Sequence, residues 1–136
     1  MHDQCSYDYA IVRVVPRVER EEFINVGVIV SCQEKDFLDA RIELDELRLK
    51  NFDPTVDLES VRANLASIPL ICAGGADAGP IGQLKKRERF HWLVAPRSTI
   101  IQTSAVHMGR CKKPKDAVEQ LLNTMVRKPA PKITGV

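Results

Sequence analysis

The strongest constraint on the fold is a pair of strand-like segments near the N-terminus, joined by a short charged connection. Residues 7–15 alternate with the period of two that is typical of a β-strand, and Ile24–Cys32 is rich in β-branched residues. The connection, residues 16–23, is short enough for the two segments to pair as an antiparallel hairpin. On the second strand the alternation predicts a single apolar face made of Ile24, Val26, Val28 and Val30.

Further apolar patterns extend the hairpin to an α+β fold. Residues 37–43 alternate again after a polar turn and predict a third strand. Residues 44–52 predict a short helix, Asp57 is placed to cap a second helix, and Pro114 suits the first turn of the last one. We therefore predict an α+β domain in which an antiparallel meander sheet of about five strands is covered on one face by two to three helices.

The second half of the chain is less regular. Residues 72–82 are rich in glycine and predict a flexible connector. Residues 83–89 predict a short helical turn, whereas residues 90–94 and 99–107 predict strands. A single domain is expected to span residues 1–128, followed by residues 129–136 as a loose C-terminal tail.

Composition and motifs exclude several classes of function. The chain has 136 residues, of which 44% are hydrophobic and 28% charged, as expected for one globular domain. Its apolar runs are far too short to span a membrane and the N-terminus lacks a signal-peptide pattern, so a cytoplasmic location is expected. The glycine-rich segment lacks the Gly-Lys-Ser/Thr ending of a phosphate-binding loop, and Ser98 lacks the Gly-x-Ser-x-Gly setting of a hydrolase nucleophile.

Neither a metal nor a cofactor is predicted. The 4 cysteines are widely spaced without a Cys-x-x-Cys pair, which favours reduced thiols over disulfides and over a zinc site. The net charge of +2 is too small to require a nucleic-acid partner. Two basic clusters, residues 85–89 and 110–115, nevertheless leave nucleic-acid binding as a weakly supported alternative to an ordinary solvated surface.

Polar side chains inside or beside the strand-like segments are the strongest sign of a functional site, because burying them costs free energy unless they find partners. Arg13 is predicted to project from the face opposite Val12 and Val14, where hairpin pairing can place Asn25 beside it. The candidate ligand-binding residues are Arg13, Arg17, Asn25, Arg97, Ser98 and Gln102, and the candidate acid–base groups are Glu22 and His107.

Several of these candidates have a purely structural alternative. For Arg17 and Glu22 it is an exposed, salt-bridged loop, and for His107 it is a single hydrogen bond. Gly27 leaves space on its strand for the close approach of a ligand or another chain segment, or for a neighbouring aromatic ring, either Tyr9 or Trp92.

Three segments carry a resemblance to a known family. They are Tyr-Ala-Ile-Val-Arg-Val-Val-Pro from Tyr9, Glu-Phe-Ile-Asn-Val-Gly-Val-Ile-Val from Glu22, and the stretch from Phe90 to Gly109 around Ala-Pro-Arg-Ser-Thr-Ile-Ile-Gln-Thr-Ser. Over residues 7–126 the chain resembles the bacterial domain-of-unknown-function family numbered 3037. That family has no assigned activity. The resemblance implies a small bacterial protein and, through an association with a HipA-kinase-like protein, a protein partner.

We predict from these observations an interaction or regulatory module with an arginine-rich polar site, working with a HipA-kinase-like partner. The alternative is an enzyme or binding protein for a phosphate-containing ligand, a nucleotide or nucleic acid, with Arg13, Arg17 and Arg97 holding the anion. This alternative requires the arginines to converge with Glu22 and His107 in one pocket. The sequence leaves open whether the protein is an enzyme.

Overall fold

A computed structural model describes residues 4–129, and within them an open antiparallel sheet forms the centre of the fold. Its strands are β1 (Cys5–Val14), β2 (Ile24–Cys32), β3 (Phe37–Ile42), β4 (Ile101–Thr103) and β5 (His107–Cys111). The first three form the predicted meander, and β4 and β5 both pair with β1 along its other edge. The predicted α+β class and antiparallel sheet are confirmed.

Among the described residues, four α-helices pack against the sheet, and two of them begin at an aspartate cap. They are α1 (Glu46–Phe52), α2 (Leu58–Ala73), α3 (Lys86–Leu93) and α4 (Pro114–Leu121), which continues as a π-helical turn over Leu122–Val126. The carboxylate of Asp45 accepts a hydrogen bond from the backbone N–H of Arg48, and Asp57 accepts one from Ser60 in the same way, as predicted for the second helix.

Helices cover both faces of the sheet. On the first face, α1, α2 and α3 enclose the larger core around Val12 and Val14 of β1. On the second face, α4 packs its apolar residues against Ile11, Val28 and Val30. The last helix, predicted from Pro114 onward, therefore covers the face opposite to the other three helices, whereas the sequence predicted that all the helices share one face.

A β-bulge in β2 decides which side chains share a face. Val12 pairs with Gly27, but the next residue, Arg13, pairs with Asn25, so Val26 is the extra residue. The bulge turns Ile24 and Val26 toward the first face, whereas Val28 and Val30 contact the second. The predicted single apolar face of Ile24, Val26, Val28 and Val30 is therefore wrong, because a strict period of two does not survive the inserted residue.

Gly27 makes room for the neighbouring strand. A Cβ atom at this position would lie 2.6 Å from Cδ1 of Ile42 and 2.8 Å from the backbone oxygen of Arg41. Both atoms belong to β3, so the close approach is by another segment of the chain, which was one of the predicted alternatives, and not by an aromatic ring.

The predicted strand at residues 90–94 is wrong, since these residues continue α3. Phe90 and Leu93 are buried one helical turn apart, while His91 and Trp92 face outward. Their spacing matches the helical period, and the short apolar run alone did not distinguish the two structures.

The predicted strand at residues 99–107 is interrupted. β4 ends at Thr103, and β5 begins at His107 after a short break. At the break, the hydroxyl of Ser104 accepts a hydrogen bond from the backbone N–H of Ile11 at 2.9 Å, while the N–H of Ser104 donates to the oxygen of Ile11 at 2.8 Å. Ser104 therefore supplies the hydrogen bonds that regular strand pairing would otherwise make with the backbone N–H and carbonyl oxygen of Ile11 in β1.

The glycine-rich connector is compact and fixed by a buried arginine. It forms a 3₁₀-helical segment over Ala76–Gln83. Arg89 is only 6% exposed and donates to the carbonyl oxygens of Ile71 at 2.8 Å, Cys72 at 2.7 Å and Leu84 at 3.0 Å. These bonds join the C-terminal end of α2 to the start of α3, and the negative end of the α2 dipole favours the cation.

The C-terminal end of α4 is fastened to the sheet by ionic hydrogen bonds. Arg127 donates to both carboxylate oxygens of Glu43 at 2.8 and 2.7 Å and to Glu119 at 2.8 Å. Hydrogen bonds from Arg127 hold the pKa of Glu43 and of Glu119 below the ordinary value.

The predicted C-terminal tail and the predicted domain limits are not tested by the described residues. Apart from Pro129, the predicted tail at 129–136 lies outside them, and the domain limits stay a prediction. Among residues 4–129, no single helix is long and apolar enough to cross a membrane.

Replacing Arg89 by methionine is expected to destabilise the fold by about 2–4 kcal/mol, because three buried carbonyl oxygens lose their charged donor. Urea unfolding followed by circular dichroism measures this change. Arg62→Met, which removes an exposed ion pair with Glu46, is the matched control and should change stability far less. Equal losses in the two variants would contradict the anchoring role of Arg89.

Replacing Arg127 by methionine should destabilise the protein at neutral pH and have less effect in acid. Because the pKa values of Glu43 and Glu119 are lowered, their bonds stabilise the fold fully above the ordinary value of 4.5 and are lost as the pH falls through the lowered values. Urea unfolding across this range measures the difference, with Lys128→Met as the control for net charge. If the difference in unfolding free energy between wild type and Arg127→Met stays constant while both carboxylates protonate, this mechanism is excluded.

Candidate functional site

Four of the eight predicted site residues line one groove. It lies at the end of the sheet where the pairing of β1 with β4 stops. Its volume is about 400 Å³. The predicted residues Arg13, Arg97, Ser98 and Gln102 line it together with Val15, Val18, Glu21 and Phe23. We call this the arginine groove.

Arg13 lies at the centre of the groove wall. It projects from the second face of the sheet, between its cross-strand partners Asn25 on β2 and Gln102 on β4. Its guanidinium carbon lies 3.9 Å from the centroid of the Phe23 ring, within cation–π range. Among residues 4–129, the buried Nε of Arg13 has no hydrogen-bond partner.

Asn25 extends the polar row on the second face. Its Nδ2 donates to the backbone oxygen of Met125 at 3.0 Å, at the end of the π-helical turn that follows α4. Its Oδ1 is buried and, like Nε of Arg13, has no partner among the described residues. Each such atom costs about 1–3 kcal/mol, so two in adjacent positions mark a place where the fold does not maximise its own stability.

Arg97 is held over a second aromatic ring. Its Nη1 and Nη2 donate to the backbone oxygens of Leu93 at 2.9 Å and Trp92 at 2.7 Å, which caps the C-terminal end of α3. The guanidinium carbon lies 4.5 Å from the Trp92 ring centroid. These bonds fix the cation before any ligand arrives.

A second cavity adjoins the arginine groove. It has a volume of about 290 Å³, and Arg97 and Gln102 line both spaces. Trp92 and Ile100 contribute apolar walls on the far side. Arg97 and Gln102 therefore lie between the two cavities.

The charge of the groove is mixed but predominantly positive. It contains two guanidinium groups, Arg13 and Arg97, and the carboxylate of Glu21. Glu21 adopts a left-handed backbone conformation with φ of 57°, at the end of the 3₁₀ turn Val18–Arg20. A forked donor beside an exposed aromatic ring is suited to a carboxylate or phosphate attached to an apolar group.

Arg17 and Glu22 lie outside the arginine groove. Arg17 contacts the carboxylate of Asp53 at 3.3 Å and donates to the hydroxyl of Thr55 at 3.1 Å, and Glu22 pairs with Arg20. Hydrogen bonds from Thr55, assisted by Arg17, keep the pKa of Asp53 below its ordinary value. Arg17 therefore fastens the hairpin connection to the end of α1. Arg17 and Glu22 both line a separate cavity of about 800 Å³ at this connection, so the structure brings these two candidates together but apart from Arg13 and Arg97.

His107 also lies elsewhere. It is exposed on β5 opposite Tyr9, and the two rings are tilted by 34° with their centroids 5.5 Å apart. The structure therefore does not bring either acid–base candidate, Glu22 or His107, into the arginine groove.

The two basic clusters differ in how far their side chains are exposed to solvent or already paired within the protein. In the first, Lys86 and Arg87 form ion pairs with Asp36 and Asp8, and Arg89 is buried. In the second, the basic residues are exposed; they are Arg110, Lys112, Lys113 and Lys115. The first cluster is therefore mostly engaged within the protein, whereas the second faces solvent.

Sequence reasoning missed the apolar part of the groove. Val18 is 36% exposed and Phe23 is 41% exposed. Phe23 follows a run of charged residues, and an exposed aromatic ring in such a run was the available signal.

The comparisons with known proteins identify a family but no activity. The chain matches no curated protein and no solved structure at a significant level. A family model described as "Protein of unknown function (DUF3037)" matches residues 9–126, which include most of the sheet and every residue of the arginine groove. The chain therefore belongs to the DUF3037 family.

Proposed function

We propose that this protein is an interaction or regulatory module that binds an acidic segment of a protein partner in the arginine groove. The observation that carries the proposal is Arg13, whose guanidinium is held over Phe23 while its buried Nε has no partner among the described residues. Arginine and aromatic side chains are the groups that most often dominate protein interfaces. The HipA-kinase-like protein suggested by the family resemblance is the first partner to test in a cytoplasmic bacterial setting.

The chemistry of the groove favours a peptide that combines a carboxylate with apolar side chains. Arg13 and Arg97 supply fixed cations, while Phe23, Val18 and Trp92 are each at least 36% exposed beside them. Because both guanidinium groups already lie over aromatic rings, little side-chain freedom is lost on binding.

The alternative proposal is a phosphate-containing ligand, either a nucleotide or nucleic acid. The same two arginines suit a phosphate group. An enzyme acting on this ligand would also need an acid or base near the anion. Glu22 and His107 lie outside the groove, and the carboxylate that lines it beside Arg13 and Arg97 is that of Glu21.

Replacing Arg13 by methionine is expected to change the free energy of unfolding by no more than about 1 kcal/mol, because the lost cation–π contact is offset by removal of an unsatisfied buried donor. Urea unfolding measures this. A loss above about 2 kcal/mol would assign Arg13 a structural role and remove the main support for the proposal.

The same substitution should weaken binding of an acidic peptide about tenfold or more. A suitable probe is a fluorescein-labelled peptide that alternates glutamate with phenylalanine and leucine, measured by fluorescence anisotropy. The peptide with glutamine in place of glutamate is the ligand control. Arg110→Met is the protein control, since it removes one exposed positive charge outside the groove.

The possible results separate the alternatives. Equal affinities of wild type and Arg13→Met, or no binding of the acidic peptide below about 1 mM, would contradict the proposed function. Competition by adenosine triphosphate with loss of binding in Arg13→Met would favour the phosphate ligand instead. Retention of single-stranded DNA that falls in Arg110→Met but not in Arg13→Met would favour nucleic-acid binding through the second basic cluster.

A further inference from the structure

Three of the 4 cysteines meet at the end of the sheet distant from the arginine groove. Cys5 begins β1, Cys32 ends β2 and Cys111 ends β5. The sulfur of Cys5 lies 3.8 Å from that of Cys111 and 3.4 Å from that of Cys32. The remaining cysteine, Cys72, is a residue of α2 and is buried in the larger core. Cys5 is therefore the central thiol of a cluster that the wide spacing in the sequence did not reveal.

The backbone already permits a disulfide. Cys5 and Cys111 are direct cross-strand partners in the antiparallel pairing of β1 with β5. Such partners have Cα atoms about 4.5–5.5 Å apart, inside the range of about 4.4–6.8 Å that a disulfide requires. Since the sulfur atoms are 3.8 Å apart, rotation of the side chains brings them to bonding distance without moving the strands.

The three thiols differ in access to solvent. Cys5 is 1% exposed and Cys32 is fully buried, whereas Cys111 is partly exposed at the edge of the sheet. A reagent in solution therefore meets Cys111 first. Burial raises the pKa of the Cys111 thiol, which slows its reaction, while the nearby Cys5 thiol and Lys35 act in the opposite direction.

We propose that Cys111, Cys5 and Cys32 form a thiol–disulfide modification site for low-molecular-weight disulfides such as oxidised glutathione. The Cys111 thiolate attacks one sulfur of the reagent and forms a mixed disulfide, and the other half leaves as a thiolate that takes up a proton. The Cys5 sulfur, after losing its proton to solvent, then attacks the Cys111 sulfur and releases the second small thiol. The two protein thiols are oxidised to one disulfide, and the reagent is reduced to two thiols.

Cys32 gives the disulfide a second position. Its sulfur lies on the far side of Cys5 from the entry point, and its attack on Cys5 would transfer the bond to Cys5–Cys32 and free Cys111. The Cys5–Cys111 bond ties the end of β5 to the start of β1. Cys111 also lies two residues before Lys113, the N-cap of α4, so the bond restrains the entry to that helix.

The test is treatment of the folded full-length chain with oxidised glutathione, followed by intact-mass and peptide mass spectrometry. We expect the wild type to lose two of its 4 free thiols and to contain a Cys5–Cys111 or Cys5–Cys32 linkage. Cys5→Ser should stop at a stable glutathione adduct on Cys111. Cys111→Ser should leave the two buried thiols unmodified.

Cys72→Ser is the matched control and should oxidise like the wild type. A wild type that retains only a glutathione adduct, that stays fully reduced, or that forms a bond including Cys72 would overturn the proposal. Because Cys111 is partly exposed, Cys111→Ser keeps the test valid if the buried Cys5→Ser variant does not fold.

Discussion

The rest of the structure depends on the β-bulge at Val26. Continuous pairing beyond Val12 and Gly27 would place Val26 opposite Arg13 and Asn25 opposite Val14, inside the larger core. Burying an amide there without partners costs about 1–3 kcal/mol. The extra residue instead returns Asn25 to the second face beside Arg13 and turns Ile24 and Val26 into the core. One inserted residue thus completes the core and places Asn25 beside Arg13, at the edge of the arginine groove.

Folding stability and ligand binding have opposite requirements at Arg13 and Asn25. Stability favours a partner for every buried polar atom, whereas binding needs an atom that is left without one. The pairing of Arg13 with Phe23 and the bond from Asn25 to Met125 hold the side chains in place, yet one buried polar atom of each has no partner among residues 4–129. The surrounding fold can tolerate this cost because other polar groups are well satisfied. Arg89 joins α2 to α3 through three carbonyl oxygens, and Arg127 joins α4 to β3. Such local costs are typically retained at functional sites.

The features that were predicted correctly from the sequence are those that depend on local residue patterns. Period-two alternation, Asp57 and Pro114 were sufficient for the meander and the starts of two helices. The sequence also identified Arg13 and Gln102, which the sheet places opposite each other. The bulge, the break at Ser104 and the pairing of Arg17 with Asp53 depend on long-range contacts that no local pattern contains. The helix at residues 90–94 was missed because a short apolar run fits both periods.

The central claim is that the guanidinium of Arg13 receives the acidic group of a ligand, and its side-chain resonance tests this most directly. The buried Nε–H of Arg13 should exchange slowly and give a resolved ¹H–¹⁵N NMR signal. During titration with the acidic peptide, we expect this signal to shift and saturate at the same ligand concentration as the backbone signals of Ser98 and Gln102. Saturable binding of the peptide that leaves the Arg13 signal and those of its groove neighbours unmoved would contradict the account.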